Sequence, residues 1–185
     1  MGGMEITSVT VLVLILLTAV WAMRLFNRMI RLKTLQEEGW SGVLVSLKRR
    51  RDLIPNLVKV AGIYVGHESD TLKGVAQARA LGQAAKDVAE MARAESSMMA
   101  ALSGFKGIVE NYPELKADKN MMHIQEQLTE LEERIEKVRR YYNATVRDYN
   151  MEMDRFPANL VVGMMGFKRA AFFETDEASQ AAPVI

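Results

Sequence analysis

The chain opens on an apolar run and then settles into apolar positions spaced three and four residues apart. From Ile6 to Met23 (ITSVTVLVLILLTAVWAM) there is no charged residue. At about 1.5 Å per helical residue such a run approaches the roughly 30 Å hydrocarbon core of a bilayer. Residues 6–23 are therefore a transmembrane-helix candidate, with Trp21 at the position of an interfacial aromatic. Beyond it, Leu25, Phe26, Met29, Leu32, Trp40, Val43, Leu44, Leu47, Ile54, Leu57, Val58, Ala61 and Tyr64 keep helical spacing. The first helix is predicted to run unbroken out of the membrane.

Residues Gly66 to Asp70 supply turn and capping residues, and a second long helix is expected from Thr71, rich in alanine through Ala101 and apolar again at Leu102, Phe105 and Val109. Pro113 disfavours helix at Tyr112, and Asp118 can cap a third helix. That helix has the clearest seam, alternating three and four steps through Met121, Ile124, Leu128, Leu131, Ile135, Val138, Tyr142, Thr145, Tyr149, Glu152 and Phe156, the spacing of a helix in a left-handed bundle. Pro157 stops it. The piece from Asn159 to Phe173 is predicted as a short final helix interrupted by Gly163 and Gly166, and the polar residues 174–185 as a loose tail. No strand pattern competes. The expected fold is all-α: an anchor over 1–23 continuing into an antiparallel bundle of three long helices plus a short C-terminal helix over 24–173.

A secretory signal cleaved after Ala22 is the rival reading of the apolar run, but Met1 to Glu5 lacks the basic residues of such a signal, which favours a retained anchor. Arg24, Arg28, Arg31 and Lys33 come directly after the span, while only Glu5 and the amino terminus precede it. That asymmetry predicts a single-pass protein with the bundle in the cytoplasm and the amino terminus outside. The same four cations are candidate lipid-headgroup contacts, although setting topology alone accounts for them.

The 185 residues carry 24 Lys and Arg against 23 Asp and Glu, so no basic domain asks for nucleic acid. Cysteine is absent, which removes disulfides, thiolate metal sites and thiol nucleophiles together. His67 and Glu68 begin like a zinc-protease helix, but the fourth position after His67 is Thr71. With His123 distant, no metal ligand set and no cofactor site is read. The glycines of ALSGFKG lack phosphate-loop spacing, and Asn143 to Thr145 is a glycosylation sequon stranded in mid-helix.

Five segments in order carry a resemblance: LKRRRDLIPNLV (47–58), HESDTLKGVAQAR (67–79), YPELKADKN (112–120), LEERIEKVRRYYNATVRDYN (131–150) with Phe156 and Pro157, and FFE (172–174). With its N-terminal span the chain resembles the LemA family of bacterial membrane-anchored helical proteins. The resemblance implies a membrane-tethered helical bundle with no established catalytic reaction. Arg51 stands where that family usually has an aromatic, and Met121 where Phe is common.

Successive helical residues lie about 100° apart, so Lys48, Arg49, Arg50 and Arg51 cannot all face one ligand. The stripe through Leu47 and Ile54 passes over Arg50 and Arg51, so at least one should point inward. Arg50 lies roughly 40 Å beyond Arg24 along a straight helix, too far for headgroups at a Debye length of about 8 Å. If the second helix folds back from residue 67 and the third starts near the membrane at 119, Arg79 and Asn143 reach the same height. A polar layer of Arg50, Asp52, Asn56, Glu68, Arg79, Arg140 and Asn143 is predicted, with Pro55 kinking the helix just above it. The layer reads either as a satisfied network fixing helix register or as a site for an anionic ligand. Leu160, Val161, Val162, Met164, Met165 and Phe167 form a candidate interface for self-association or for a membrane-protein partner. A non-enzymatic membrane-anchored scaffold or adaptor is the leading functional expectation. A sensor of an anionic ligand and a membrane-remodelling protein are the alternatives.

Overall fold

The computed structural model describes residues 2–65 and 70–174 and is helical throughout its regular structure, with no strand among those residues. Residues 66–69, among them His67, Glu68 and Ser69, and residues 175–185 lie outside the described residues.

Helix α1 spans Gly2–Val65 without interruption, 64 residues that pass through Pro55. Its amino-terminal part is apolar and long enough to cross a membrane, and its side chains from Val9 to Val20 are exposed. Past that part, its three-and-four stripe buries Leu25, Met29, Val43, Leu47, Ile54, Leu57 and Ala61. Each large apolar side chain withdrawn from water contributes about 1.5–3 kcal/mol.

The expected second long helix is two helices. Helix α2 spans Asp70–Ala84 and α3 spans Val88–Asn111. The break is made by a reciprocal cap: Asp87 Oδ1 accepts the Glu90 amide at 2.8 Å, and Glu90 Oε2 accepts the Lys86 amide at 2.8 Å. These bonds satisfy amides that a helix start leaves open, which offsets the loss of one turn in an alanine-rich stretch that would otherwise continue. Gly104, late in α3, lies beside Thr71 at the start of α2, so the two helices pack as a hairpin.

A five-residue helix α4, Pro113–Ala117, has proline in its first turn, where no amide is needed. Helix α5 spans Lys119–Asp154. Asp118 caps it, with Oδ1 accepting the amides of Asn120 at 2.8 Å and Met121 at 3.0 Å while Oδ2 accepts the Tyr64 hydroxyl at 2.9 Å. Those bonds favour the carboxylate, the Met121 amide most, and hold the Asp118 pKa below its ordinary value; the same carboxylate raises that of Tyr64.

The expected C-terminal helix is reduced to one 3-10 turn, Ala158–Leu160, with turns and an extended segment after it. Because α5 ends at Asp154, Phe156 leaves the helical seam and is exposed.

The chain divides into two compact units, 1–38 with 144–170 and 39–143 with 171–185. The core of the first joins Leu25, Met29, Tyr149, Ala158, Val162 and Phe167, with Phe26 and Phe167 rings 5.6 Å apart. The core of the second joins Ile54, Leu57 and Ala61 of α1 to Leu72 and Val75 of α2, Met98 and Phe105 of α3, Leu115 of α4, and Met121 and Ile124 of α5. Trp40 packs against Tyr142 and Phe173 at ring distances of 5.2 and 5.6 Å.

Candidate functional site

The most charged interior position lies in the second unit. Leu47 and Ile54 are buried on α1, and the helical period carries Arg50 inward with them; its side chain is 3% exposed. On α3, Glu95 falls in the stripe of Met91 and Met98 and is 7% exposed as a side chain. The guanidinium of Arg50 donates through Nη2 to Glu95 Oε2, forming a buried ion pair. Arg50 Nε has no hydrogen-bond partner among the described residues. A cleft of about 340 Å³ opens on this pair, with Lys106, Glu132, Glu136 and Arg139 adding charge and Met99, Leu102, Ile135 and Phe173 apolar surface.

Next to Arg50, Arg51 is half-buried and donates through Nη1 to the Met91 sulfur at 3.6 Å. Burial pushes its guanidinium below the ordinary range, and Glu95 is the largest influence in the other direction. Arg79 of α2 donates through Nε to the Arg51 carbonyl at 3.2 Å, so it reaches the α1 backbone at this level.

Other residues of the predicted polar layer lie elsewhere. Asp52 is exposed and pairs with Lys48 at 2.6 Å, a hydrogen bond that lowers its pKa. Asn56 is exposed, and Arg140 is exposed and pairs with Glu136 at 2.9 Å. The layer requires a third helix that starts near the membrane. Instead α5 starts where Asp118 meets Tyr64, at the far end of α1. Asn143 consequently has a different partner: its side-chain amide accepts the Phe173 N–H at 2.9 Å and donates to the Phe173 carbonyl at 3.1 Å. Glu68 is outside the described residues. Sequence reasoning misses Glu95, although a carboxylate seated between Met91 and Met98 on an apolar stripe is its visible sign.

The extended C-terminal segment is gripped twice by the same kind of residue pair. Tyr142 donates to the Ala171 carbonyl at 2.8 Å beside the Asn143 bonds. Seven residues on, Tyr149 donates to the Lys168 carbonyl at 3.0 Å, and Asn150 makes two 3.0 Å bonds to the Ala170 backbone. Burial raises the Tyr149 pKa, opposed by that hydrogen bond.

In the first unit, Arg28 pairs at 2.9 Å with Glu152, which is buried and also meets Arg155 at 3.3 Å. Arg24 and Arg31 are exposed, and Lys33 pairs with Glu37 at 3.7 Å. Of the candidate interface, Val162 and Phe167 are core side chains and so closed to a partner, Val161 and Met165 are half-buried against that core, and Leu160 and Met164 are exposed. Among the described residues no group of three or more metal-ligating side chains forms.

A model of the LemA family matches residues 39–185, most of the chain and all five of the ordered segments. The chain belongs to the LemA family. Similar curated proteins carry the name magnetosome protein MamQ. One from Magnetospirillum gryphiswaldense is 25% identical over 167 residues, covering 76% of this chain and 61% of the relative. MamQ 1 and MamQ 2 of Paramagnetospirillum magneticum are each 35% identical over 85 residues, covering 46% of this chain and 31% of each relative. This LemA protein thus spans between about a third and three fifths of the relatives it matches. Family membership and these relatives indicate a membrane-associated helical protein of a non-enzymatic kind. Within the family match lie Arg50, Glu95 and both residues of the Asn143–Phe173 clamp.

Proposed function

We propose that this protein is a membrane-anchored scaffold or adaptor whose bundle stands at the cytoplasmic face of the bacterial inner membrane and organises membrane proteins, itself included. The observation that carries the reading is α1, one helix that begins as an apolar segment and ends as a wall of the bundle core. A helix of that kind ties the bundle to the bilayer. An antiparallel course of α1 and α5 is supported by Tyr64 meeting Asp118 while Gly42 lies beside Val138. The cations from Arg24 to Lys33 support the cytoplasmic orientation. The relatives' name ties them to magnetosomes, and a membrane-associated, non-enzymatic protein is what this chain's architecture has in common with them.

Light scattering of the detergent-extracted full chain, beside a truncated chain beginning at Arg24, tests the reading. A defined multimer that persists without the span supports a scaffold assembled by the bundle. Monomers in both samples, together with no crosslinked partner in native membranes, would refute it. Reporter fusions at the C-terminus test orientation.

A second reading, a sensor of a small anionic ligand, is favoured by one observation: the partnerless Nε of Arg50 at a cleft that also holds Lys106 and Arg139. An anionic oxygen accepting from Nε would complete the guanidinium's bonding. A thermal-shift screen of phosphates and dicarboxylates that raises Tm with none of them removes this reading.

A further inference from the structure

The loop after α5 presents three apolar side chains to the outside although its other face is firmly held. Phe156 is 75%, Leu160 65% and Met164 88% exposed. Their neighbours Ala158, Val162 and Phe167 are buried, and the loop is closed by backbone bonds from Val161 to Ala158, Met165 to Val161 and Phe167 to Val162. The outward side chains are therefore fixed in place by an ordered loop, and a soluble surface gains nothing from them.

The place of this loop identifies what covers it. Its buried face packs on Leu25 and Met29 of α1 and reaches Trp21, the last aromatic of the apolar run. Phe167 meets Phe26, about 7–8 Å along the helix axis from Trp21. The headgroup region on each side of a bilayer is about 5–8 Å thick. A loop at Trp21 to Phe26 thus lies within the layer where α1 leaves the hydrocarbon. The exposed apolar side chains of α1 continue to Met23 at the end of the run and beyond it at Phe26 and Ile30; exposed cations stand on the same stretch of α1, Arg24 and Arg31, and at the two ends of the loop, Arg155 and Lys168. Exposed apolar side chains on a segment bordered by cations suit the boundary between acyl chains and anionic headgroups.

We infer that the 156–164 loop is a second membrane contact, in which Phe156, Leu160 and Met164 enter the lipid interface beside the point where α1 emerges. The inference rests on the reading of residues 6–23 as a membrane span. Two contacts on one leaflet hold the first unit against tilting and rotation, which a single helix leaves free.

The chain has no cysteine, so single replacements label specifically. Met164→Cys, Leu160→Cys, Val9→Cys in the apolar run and Ile63→Cys at the far end of α1, all exposed positions, are labelled with an environment-sensitive fluorophore. Each full chain is reconstituted into phosphatidylethanolamine and phosphatidylglycerol vesicles. Expected are loss of fluorescence to a bromine-bearing lipid at positions 9, 160 and 164, and loss to iodide, supplied on both sides, at 63. Lipid quenching at 9 with iodide quenching at 160 and 164 would overturn the loop contact and leave the span intact. Iodide quenching at 9 would overturn the span, on which the loop inference depends. Shielding of 160 and 164 from both quenchers would assign the loop to a protein partner and overturn the lipid assignment.

Discussion

Glu95→Gln removes one charge from the buried pair while keeping the side chain's volume, so its effect on stability isolates the charge. With the two side chains 3% and 7% exposed, deleting one partner leaves a buried ion without compensation, at a cost of about 3–5 kcal/mol. For a domain of this size that lowers Tm by roughly 6–20 °C. The electrostatics also predict an asymmetry. Glu95 compensates two guanidiniums, since it is the main influence raising the pKa of the half-buried Arg51 as well as the partner of Arg50. Arg50→Met therefore leaves Glu95 with Arg51 nearby and costs less than Glu95→Gln. In the double variant Arg50→Met/Glu95→Leu the charges disappear together, and the loss shrinks to about 1 kcal/mol. Urea titration of the full chain in a mild nonionic detergent, monitored by circular dichroism, measures all three. Additive single effects, or a Glu95→Gln chain as stable as the parent, would show that the pair is not desolvated as described.

The remaining expectations concern the clamps, a cap and three glycines. Asn143→Ala with Asn150→Ala removes both two-bond grips on the C-terminal segment, each worth about 1–3 kcal/mol; trypsin should then cut sooner at Lys168 and Arg169, and an unchanged cleavage rate would mean that the segment is held by its phenylalanines alone. Asp118 has a depressed pKa in the fold, so its contribution is present above the unfolded value of about 4 and is lost as pH falls through the folded value. Asp118→Asn keeps the acceptor but not the titration, and its Tm should decline less steeply in acid; parallel profiles would refute the assignment. Gly74 and Gly107 sit inside helices with open space where a Cβ would go, so alanine at both should add about 1–2 kcal/mol, whereas Gly166, at φ +84°, should lose about 1–2 kcal/mol on the same change, all read from urea midpoints.

Sequence periodicity is sufficient for α1 and α5, because each buries one continuous stripe and ends close to a residue that breaks the pattern in the sequence, Gly66 or Pro157. The split between α2 and α3 is written in Asp87 and Glu90, spaced as a capping pair, but the surrounding alanines suit either a continuous helix or a break, and only the cap chooses. The inward turn of Arg50 comes from helical geometry; its partner does not, since that depends on a hairpin placing α3 against α1. The height argument for Asn143 fails for a related reason. It assumes a direction for the third helix that only the Tyr64–Asp118 contact supplies. Segment 159–173 looks helical when its apolar residues are counted without asking where its backbone bonds go. Up to Phe167 those bonds close turns within the segment, and from Lys168 on they go to the Tyr–Asn pairs of α5, residues whose spacing alone reads as a helical seam and a polar layer.

Every one of those grips closes on the main chain: the carbonyls of Lys168, Ala170, Ala171 and Phe173 and the amides of Ala170 and Phe173. None reads a side chain. Between Lys168 and Phe173 the protein therefore specifies a count of residues rather than a spelling: substitutions at Arg169, Ala171 or Phe172 leave the six bonds available, while a single inserted or deleted residue puts every bond on one side of the change out of step.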